Sequence, residues 1–387
     1  MLVSPEPNDM DVEIVPYTPG LKSHVVELQR HLWSSDIALN TAYLEWKYEQ
    51  NPYLAEPLIY LALSDGKAVG MRGMFGAKWQ LGCPSETATW LHADDLVIAP
   101  EHRGRGLHRR IMRTAFHDLA ARGYEYAVNL HGSRITVLAS LAMGWRSVGS
   151  VQPMCLQTRT ARFWKRLSAR VNKLPIMWRY AEQAPFLLSA ASRRLFSRLD
   201  RANHRQKQPD SLVSVQKAPR PQEMAELVAR LGSDGRIRHV RDAQYFAWRF
   251  RNPLHSYRFL FWGADRLDGY LVLQRSLSDR ADQTRVNIVD WEAINDRGRA
   301  DLLQAAVGWG QFPDLRCWTA TFPQETIRLL QAQGFTAVND AGVAAHVTSV
   351  LVRPVRDDLL ETDWQPAGRR LLDMNNWDLR MIYSMAS

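Results

Sequence analysis

Val12 and Ile14 alternate with polar neighbours, and Leu21, Val25, Leu28 and Leu32 then recur at helical spacing. A period of two gives way to one near 3.6, which predicts a strand running into an amphipathic helix. The same change returns further on, where Val213 and Val215 alternate and Met224, Leu227, Val228 and Leu231 follow. Residues 90–100 read as a strand and 107–122 as a helix, with Leu107, Ile111, Ala115 and Leu119 on its buried face. Residues 126–130 form the next strand and 135–141 a short helix. Met143-Gly144-Trp145 closes that helix, with Gly144 suited to a left-handed C-cap. Each copy therefore predicts strand, helix, helix, hairpin, strand, helix, strand, helix, strand.

Letters repeat as well as periods. Tyr43-Leu44-Glu45-Trp46-Lys47-Tyr48-Glu49-Gln50-Asn51-Pro52 returns as Tyr245-Phe246-Ala247-Trp248-Arg249-Phe250-Arg251-Asn252-Pro253, one residue shorter. An apolar run and a turn follow both copies, at 58–63 with Asp65-Gly66 and at 258–262 with Ala264-Asp265. An offset of about 200 residues is a duplicated domain, since solenoid repeats are far shorter. The expected organisation is one domain at 1–160, a connector at 161–210 and a second copy at 211–387. The two tryptophans are expected in the core, and each Asn-Pro as a helix stop. Residues 377–383 are expected to add a final strand.

With 387 residues the chain has room for two domains. At 46% apolar and 23% charged, wholesale disorder is excluded. No apolar run reaches the roughly 18 residues of a membrane span, so no transmembrane segment is expected. Residues 1–13 are acidic and proline-bearing, unlike a secretory leader. Cys83, Cys155 and Cys317 lie far apart, which speaks against a disulfide framework or a structural metal site and fits a reducing, cytoplasmic setting. The net charge of +9 is localised. Residues 161–207 carry twelve Lys or Arg against Glu182 and Asp200, so the remainder is near neutral. Trp164, Leu167, Val171 and Leu174 stand at helical spacing there, before Pro175 and Pro185. Two short amphipathic helices are expected, with an anionic membrane surface or nucleic acid as partner.

Candidate chemistry sits between the strand at 90–100 and its helix, in Pro100-Glu101-His102-Arg103-Gly104-Arg105-Gly106-Leu107-His108-Arg109-Arg110. Two glycines let the backbone turn tightly, so that turn and first-turn amides converge on one point. Such a nest at a helix N-terminus binds phosphate, and Arg103, Arg105 and Arg109 add charge-assisted contacts. It is neither a Walker loop nor a GxGxxG dinucleotide turn. This stretch resembles the acyl-CoA signature of the GNAT acetyltransferase superfamily, Gln/Arg-x-x-Gly-x-Gly/Ala. It matches at Arg103 and Gly106 and departs at His108. The strand before it, Pro100-Glu101 and Leu141-Ala142-Met143-Gly144-Trp145 resemble the family too, and Gln333-Gly334-Phe335 is the second copy's counterpart. The whole chain is similar to tandem GNAT proteins.

That resemblance implies an α/β (α+β mixed-sheet) fold of two GNAT-like domains, with acetyl-CoA or another acyl-CoA lying where the fourth and fifth strands part. The pyrophosphate would rest on the amides of Arg105, Gly106, Leu107, His108 and Arg109, beside Arg103 and Gly104. The pantetheine would pair with the backbone of Val97 and Ile98, and a strand amide there would hold the oxyanion. The second copy is expected to be degenerate. Its matching stretch, Asp296-Arg297-Gly298-Arg299-Ala300-Asp301-Leu302, has Ala300 for the second glycine and a carboxylate, Asp301, where a phosphate would lie.

An amine must lose a proton to attack a thioester, so a nearby carboxylate or imidazole is useful. His92, Asp94 and Asp95 are the candidates. Strict alternation puts His92, Asp94 and Leu96 on one face, and Ala93, Asp95 and Val97 on the other. The tyrosine that the family often supplies as an acid is replaced by Ser140, leaving Tyr124, Tyr126, His131 or an unaided thiolate. The expected activity is acetyl transfer from acetyl-CoA to an amine. Two alternatives stand beside it: an aminoacyl or peptidyl transferase using charged tRNA, and a non-catalytic scaffold with a vestigial site. The acceptor is a small molecule or peptide, by amine, amino sugar or hydroxyl.

Overall fold

The computed structural model describes residues 12–130, 134–157, 212–278, 285–310, 312–338 and 349–385. The basic connector and His131 fall outside them.

The first half follows the predicted order. β1 (Val12–Pro16) leads to α1 (Lys22–Gln29) and α2 (Ile37–Leu44), and α2 runs on into a π-helical turn, Glu45–Glu49. Then come β2 (Leu58–Ser64), β3 (Lys67–Leu81), β4 (Glu86–Ile98), α3 (Leu107–Ala121), β5 (Tyr126–Asn129), α4 (Arg134–Leu141), β6 (Arg146–Ser150) and β7 (Pro153–Gln157). The second half repeats the order with β8 (Val213–Gln216), α5 (Pro221–Leu231), β9 (Arg238–His239), α6 (Ala243–Arg249), β10 (His255–Trp262), β11 (Gly269–Ser276) and β12 (Arg285–Ala293). It ends with α7 (Asp296–Trp309), β13 (Asp314–Trp318), α8 (Gln324–Ala332), β14 (Thr336–Ala337) and β15 (Ser349–Pro354).

The sheets do not divide where the repeat divides. Among the described residues one sheet runs β1-β2-β3-β4-β5-β15-β6, and the other β14-β7-β13-β12-β11-β10-β8. β7, from the first half, lies between β13 and β14. β15, from the second half, lies between β5 and β6. Each half thus completes the other's sheet, and β9 adds a further link by pairing with the end of β3, Trp79 opposite His239. Pulling the halves apart would expose strand edges in both sheets, which is costly and invites mispairing.

The repeated motif marks a local two-fold axis. Trp46 Nε1 donates to the carbonyl of Trp248 at 2.7 Å, and Trp248 Nε1 to that of Trp46 at 2.9 Å. Their rings stack at 5.1 Å. Both tryptophans are core, in a cluster shared by the two halves, while α3 and α7 cover separate clusters on the outer faces. Asn51 and Asn252 are buried and act alike, each side-chain oxygen accepting from the amide two residues on.

Residues 377–383 form no strand. They run as an irregular segment with a short 3₁₀ turn, Met381–Tyr383, wedged between the halves. Trp377, Leu379, Met381, Ile382 and Tyr383 are all buried. An apolar run buried on every side looks like an inner strand in sequence, although its backbone bonds go to Ile237, Thr321 and Arg249 instead of a ladder.

Candidate active site

β4 carries the candidate acids, and a bulge decides where they point. Opposite β3, Leu96 pairs with Arg72 and Asp94 with Gly73, leaving Asp95 as the extra residue with φ +47°. A bulge re-aims side chains and breaks alternation. Asp94 and Asp95 therefore do not sit on opposite faces as expected; both reach Lys47. The Lys47 ammonium lies 2.9 Å from Asp94 Oδ2 and 2.8 Å from Asp95 Oδ1. It is wholly buried, with the rings of Tyr43, Tyr48, Phe75 and Trp33 5.1–5.7 Å away. Gln29 and Trp33 also donate to Asp95. The parity shift carries Val97 into the shared core with Trp90, whereas Ala93 packs under α3.

The two carboxyls have different standing. Burial pushes Asp94 up, but Lys47 outweighs it and holds this carboxyl below the usual range. Burial keeps Asp95 above that range despite Lys47. Asp95 is fully enclosed and anchors the lysine, while Asp94 stays partly open, its side chain 18% exposed.

His92 is buried between Phe75 and Trp79, whose rings stack on it at 4.6 and 5.5 Å. Its Nε2 lies 3.0 Å from Nε2 of His239, delivered by β9 of the second half. Burial depresses His92 to about 3, so the imidazole is neutral at physiological pH.

β4 and β5 pair in parallel only at Leu91–Ala127 and His92–Val128, and then part. The gap holds a narrow cavity, ≈ 10 Å³, lined by Phe75, His92, Asp94, Asn129, Tyr383 and Ser384 among others. That is room for about one water. The chain's own C-terminal segment walls one side of it. Val97 and Ile98 lie on the stretch of β4 beyond its pairing with β5.

The glycine turn opens at the end of the same strand. Gly104 and Gly106 have φ of +78° and +73°, conformations that L side chains rarely adopt. A Cβ at either would meet nothing within 4 Å, so the turn faces open space. Gly106 is the N-cap of α3, and no side chain caps the helix. Leu107 is buried and anchors the first turn. Arg103 and Arg109 are exposed and Arg105 half-buried. Arg103 Nε donates back to the Ile98 carbonyl at 3.0 Å, which ties the turn to the strand end. His108 is half-buried, and burial followed by Arg72 lowers it to about 4, so it adds a neutral ring beside the turn.

Neither described tyrosine suggested as an acid lines the gap. Tyr126 donates to the Asp363 carbonyl, and Tyr124 lies under the Arg122 guanidinium. Ser140 is buried in α4.

The second half presents a different surface at the corresponding place. Residues 296–302 lie inside α7 instead of a turn before it. Asn295 caps the helix by accepting from Gly298 N–H at 2.8 Å, Gly298 is pressed against Trp262, and Asp301 accepts from Trp262 Nε1 at 3.0 Å. β12 and β13 part after Asn287–Arg316, and there Arg380 of the C-terminal segment donates to the Trp291 carbonyl. Arg380 also pairs with Glu292 and Asp378. Where the first half presents a glycine turn and a parted strand, the second half is filled by its own Asn295, Asp301 and Arg380.

Lys47, His239 and Asn295 were not singled out from the sequence. Lys47 had a signal, because a basic residue recurs within an otherwise apolar repeat as Arg249. His239 had none, since its partner lies 147 residues away.

Two mixed sheets, each parted after its parallel pair, with a glycine turn opening a helix beside one gap, define a tandem GNAT fold. Residues 25–139, within the first half, match the family model described as acetyltransferase (GNAT) family. The fold is shared with a probable N-acyltransferase from Enterococcus faecalis V583, at 9% identity and a TM-score of 0.54, over 89% of this chain and 73% of that one. A GCN5-related N-acetyltransferase from Anabaena variabilis ATCC 29413 gives 13% identity and 0.54 over the same shares. A tandem GNAT protein from the clavulanic acid biosynthesis pathway gives 12% and 0.50, covering 90% of this chain and 99% of its own. A search of curated proteins finds no match.

Proposed function

We propose that the protein is a cytoplasmic acyl-CoA-dependent N-acyltransferase, moving an acetyl group from acetyl-CoA to an amine, with its chemistry in the first half. The observation that carries this reading is the uncapped glycine turn of α3, at the end of a parted strand whose middle holds His92 and Asp94. The three free cysteines fit a reducing compartment. The tRNA-using alternative rests on residues 161–207, outside the described chain.

An acyl-CoA would supply an acyl group already activated as a thioester. The amides of Arg105 to Arg109 would bind its pyrophosphate, with Arg103, Arg105 and Arg109 adding charge. The β4 backbone at Val97 and Ile98 would pair with the pantetheine and hold the oxyanion. His92 would accept an N–H of the amine, orient its lone pair and receive the proton once the C–N bond has formed and made that nitrogen more acidic; the C–S bond would then break, with CoA leaving as the thiolate. Asp94, kept ionised by Lys47, would favour positive charge on the nitrogen. Asp95 holds Lys47 in place. The second half walls the gap with its C-terminal segment.

Calorimetry with acetyl-CoA should give one site per chain, since Asn295, Asp301 and Arg380 occupy the second half's equivalent positions. Two equivalent sites would refute the single-site reading, and no binding would refute the acyltransferase reading. A thermal shift with tRNA and none with acetyl-CoA would favour the tRNA-using alternative.

The groups around His92 are Asp94 on its own strand, Lys47 from the π-helical turn and His239 from β9, with Phe75 and Trp79 on its faces. Burial keeps His92 neutral down to about pH 3 and holds His239 well below the ordinary range. The acid limb of kcat/KM should therefore follow the amine substrate. Below the amine's own pKa the rate falls tenfold per pH unit, and it recovers as pH rises. Replacing the amine by one of lower pKa should move the limb by the same amount. His92→Ala should cost about 100-fold in kcat without moving it. A limb fixed near pH 6–7 for every amine would show a titrating histidine instead.

A further inference from the structure

His239 belongs to the second half, yet β9 sets it beside β3 of the first sheet, and its ring reaches His92. We infer that His239 is a positioning residue: it accepts the Nε2–H of His92, fixes that tautomer, and leaves the bare Nδ1 of His92 as the hydrogen-bond acceptor for a substrate N–H in the gap. The inference rests on the acyltransferase reading for the identity of the substrate, but its geometry does not.

The direction of the chain of hydrogen bonds follows from its far end. Tyr245 Oη lies 3.2 Å from the Ile382 carbonyl and 3.3 Å from Nδ1 of His239. The Ile382 carbonyl only accepts: one lone pair takes Arg249 Nε–H at 2.8 Å, and the other takes the hydroxyl proton of Tyr245, because without that proton two oxygens would face each other at 3.2 Å. The phenol oxygen then accepts from His239 Nδ1–H. A neutral imidazole carries one N–H, so Nε2 of His239 is bare, and the contact at 3.0 Å requires His92 to be the donor there. Burial disfavours an imidazolium in both rings: at His92 it outweighs the opposing pull of Asp94, with Lys47 adding to it, and at His239 Arg241 and Arg249 act in the same direction.

Packing holds these orientations. His92 stacks on Phe75 and Trp79, and His239 stacks on Tyr383 at 3.8 Å with Trp79 edge-on at 4.3 Å. Neither ring can flip without opening the shared core. The arrangement also gives the strand exchange between halves a consequence: the first half's candidate acceptor is oriented by a residue of the second. A histidine whose tautomer is set by the bond at its other nitrogen is a general device.

The test reads protonation directly. Long-range ¹⁵N–¹H correlation spectra of the free, full-length protein at pH 6–8, with His92 and His239 assigned by substitution, should show His92 protonated at Nε2 and bare at Nδ1. His239 should be protonated at Nδ1. The opposite pattern, with His92 protonated at Nδ1, would mean that the Tyr245 proton points at His239, and it would overturn the inference. His239→Gln keeps an amide oxygen for His92 Nε2–H and should preserve the His92 pattern. His239→Phe fills the ring space without an acceptor and should lose it, as should Tyr245→Phe in part. An unchanged His92 pattern in all three folded variants would also overturn the inference. Because these spectra need no substrate, absence of acetyl transfer by the wild type would count against the proposed activity alone.

Discussion

Gly106→Asp should weaken acetyl-CoA binding at least about 100-fold while the melting temperature stays near that of the wild type. Gly106 stands at φ +73° as the N-cap of α3, and as a glycine it brings no capping side chain to the first amides of that helix. An aspartate there would meet nothing within 4 Å of its Cβ, so the substitution is not excluded by sterics. The left-handed backbone costs about 1–2 kcal/mol for a residue with a Cβ. A capping bond to the first amides needs an extended N-cap backbone, as at Asn295 with φ −152° and ψ 169°, so none repays this cost at the left-handed Gly106. A loss of that size lowers the melting temperature by only about a few degrees, so folding is spared. Binding is not, because the carboxylate crowds the amides proposed for the pyrophosphate and sets a like charge beside them, so that bonds to the phosphate are lost. Two lost hydrogen bonds to a charged group, at about 1.5 kcal/mol or more each, amount to about 100-fold. In the second half an extended residue, Asn295, stands at the helix start and its side chain takes the Gly298 amide. Calorimetry beside a thermal melt checks both halves of the claim. Unchanged affinity in a folded variant would move the site elsewhere.

The same contrast between the two halves separates what is written locally in the sequence from what depends on packing. The repeat, the element order and the glycine turn are local in sequence, and each appears where its pattern put it. The second copy's stretch aligned letter by letter with the turn, yet it lies inside α7. The N-cap residue Asn295, just before the aligned stretch, was the better guide, because caps report where a helix starts and letter matches do not. The bulge at Asp95 could not be read, since one extra residue in a strand leaves no trace in composition while reversing every side chain beyond it. The exchange of β7 and β15 was hidden for a different reason: strand pairing at long range depends on which edges remain open after both halves have formed. The irregular 377–383 segment misled because burial on all sides produces the same apolar run whether or not a ladder forms.

Lys47→Leu should cost about 3–5 kcal/mol of folding stability at pH 7, and the loss should shrink on acidification. Lys47 is fully buried and is the counter-ion of two carboxylates, one of them fully buried. Leucine would fill much of the stem's space among Trp33, Tyr43, Tyr48 and Phe75 but leave Asp94 and Asp95 facing each other. Removing one partner of a buried pair strands charge and costs about that much. The pH dependence has a definite sign. In the wild type Lys47 holds Asp94 below its ordinary value, so Asp94 contributes stability at neutral pH that is lost as pH falls through the folded value. In the variant both folded carboxyls rise above the unfolded value of about 3.9. A carboxyl raised in this way destabilises the fold while ionised, and the penalty fades as pH drops and the proton binds. The gap between the two proteins should therefore narrow steadily from pH 7 toward pH 4. Adding Asp95→Asn to Lys47→Leu should recover part of the loss at pH 7, because it removes one stranded charge and keeps an amide oxygen for Gln29 and Trp33, which now donate to Asp95. Chemical denaturation at several pH values reads all three proteins. A loss under about 1 kcal/mol at pH 7 would be the range of an exposed pair, and a loss that grows on acidification would have the wrong sign; either would show that Lys47 does not hold the bulged acids of β4 together.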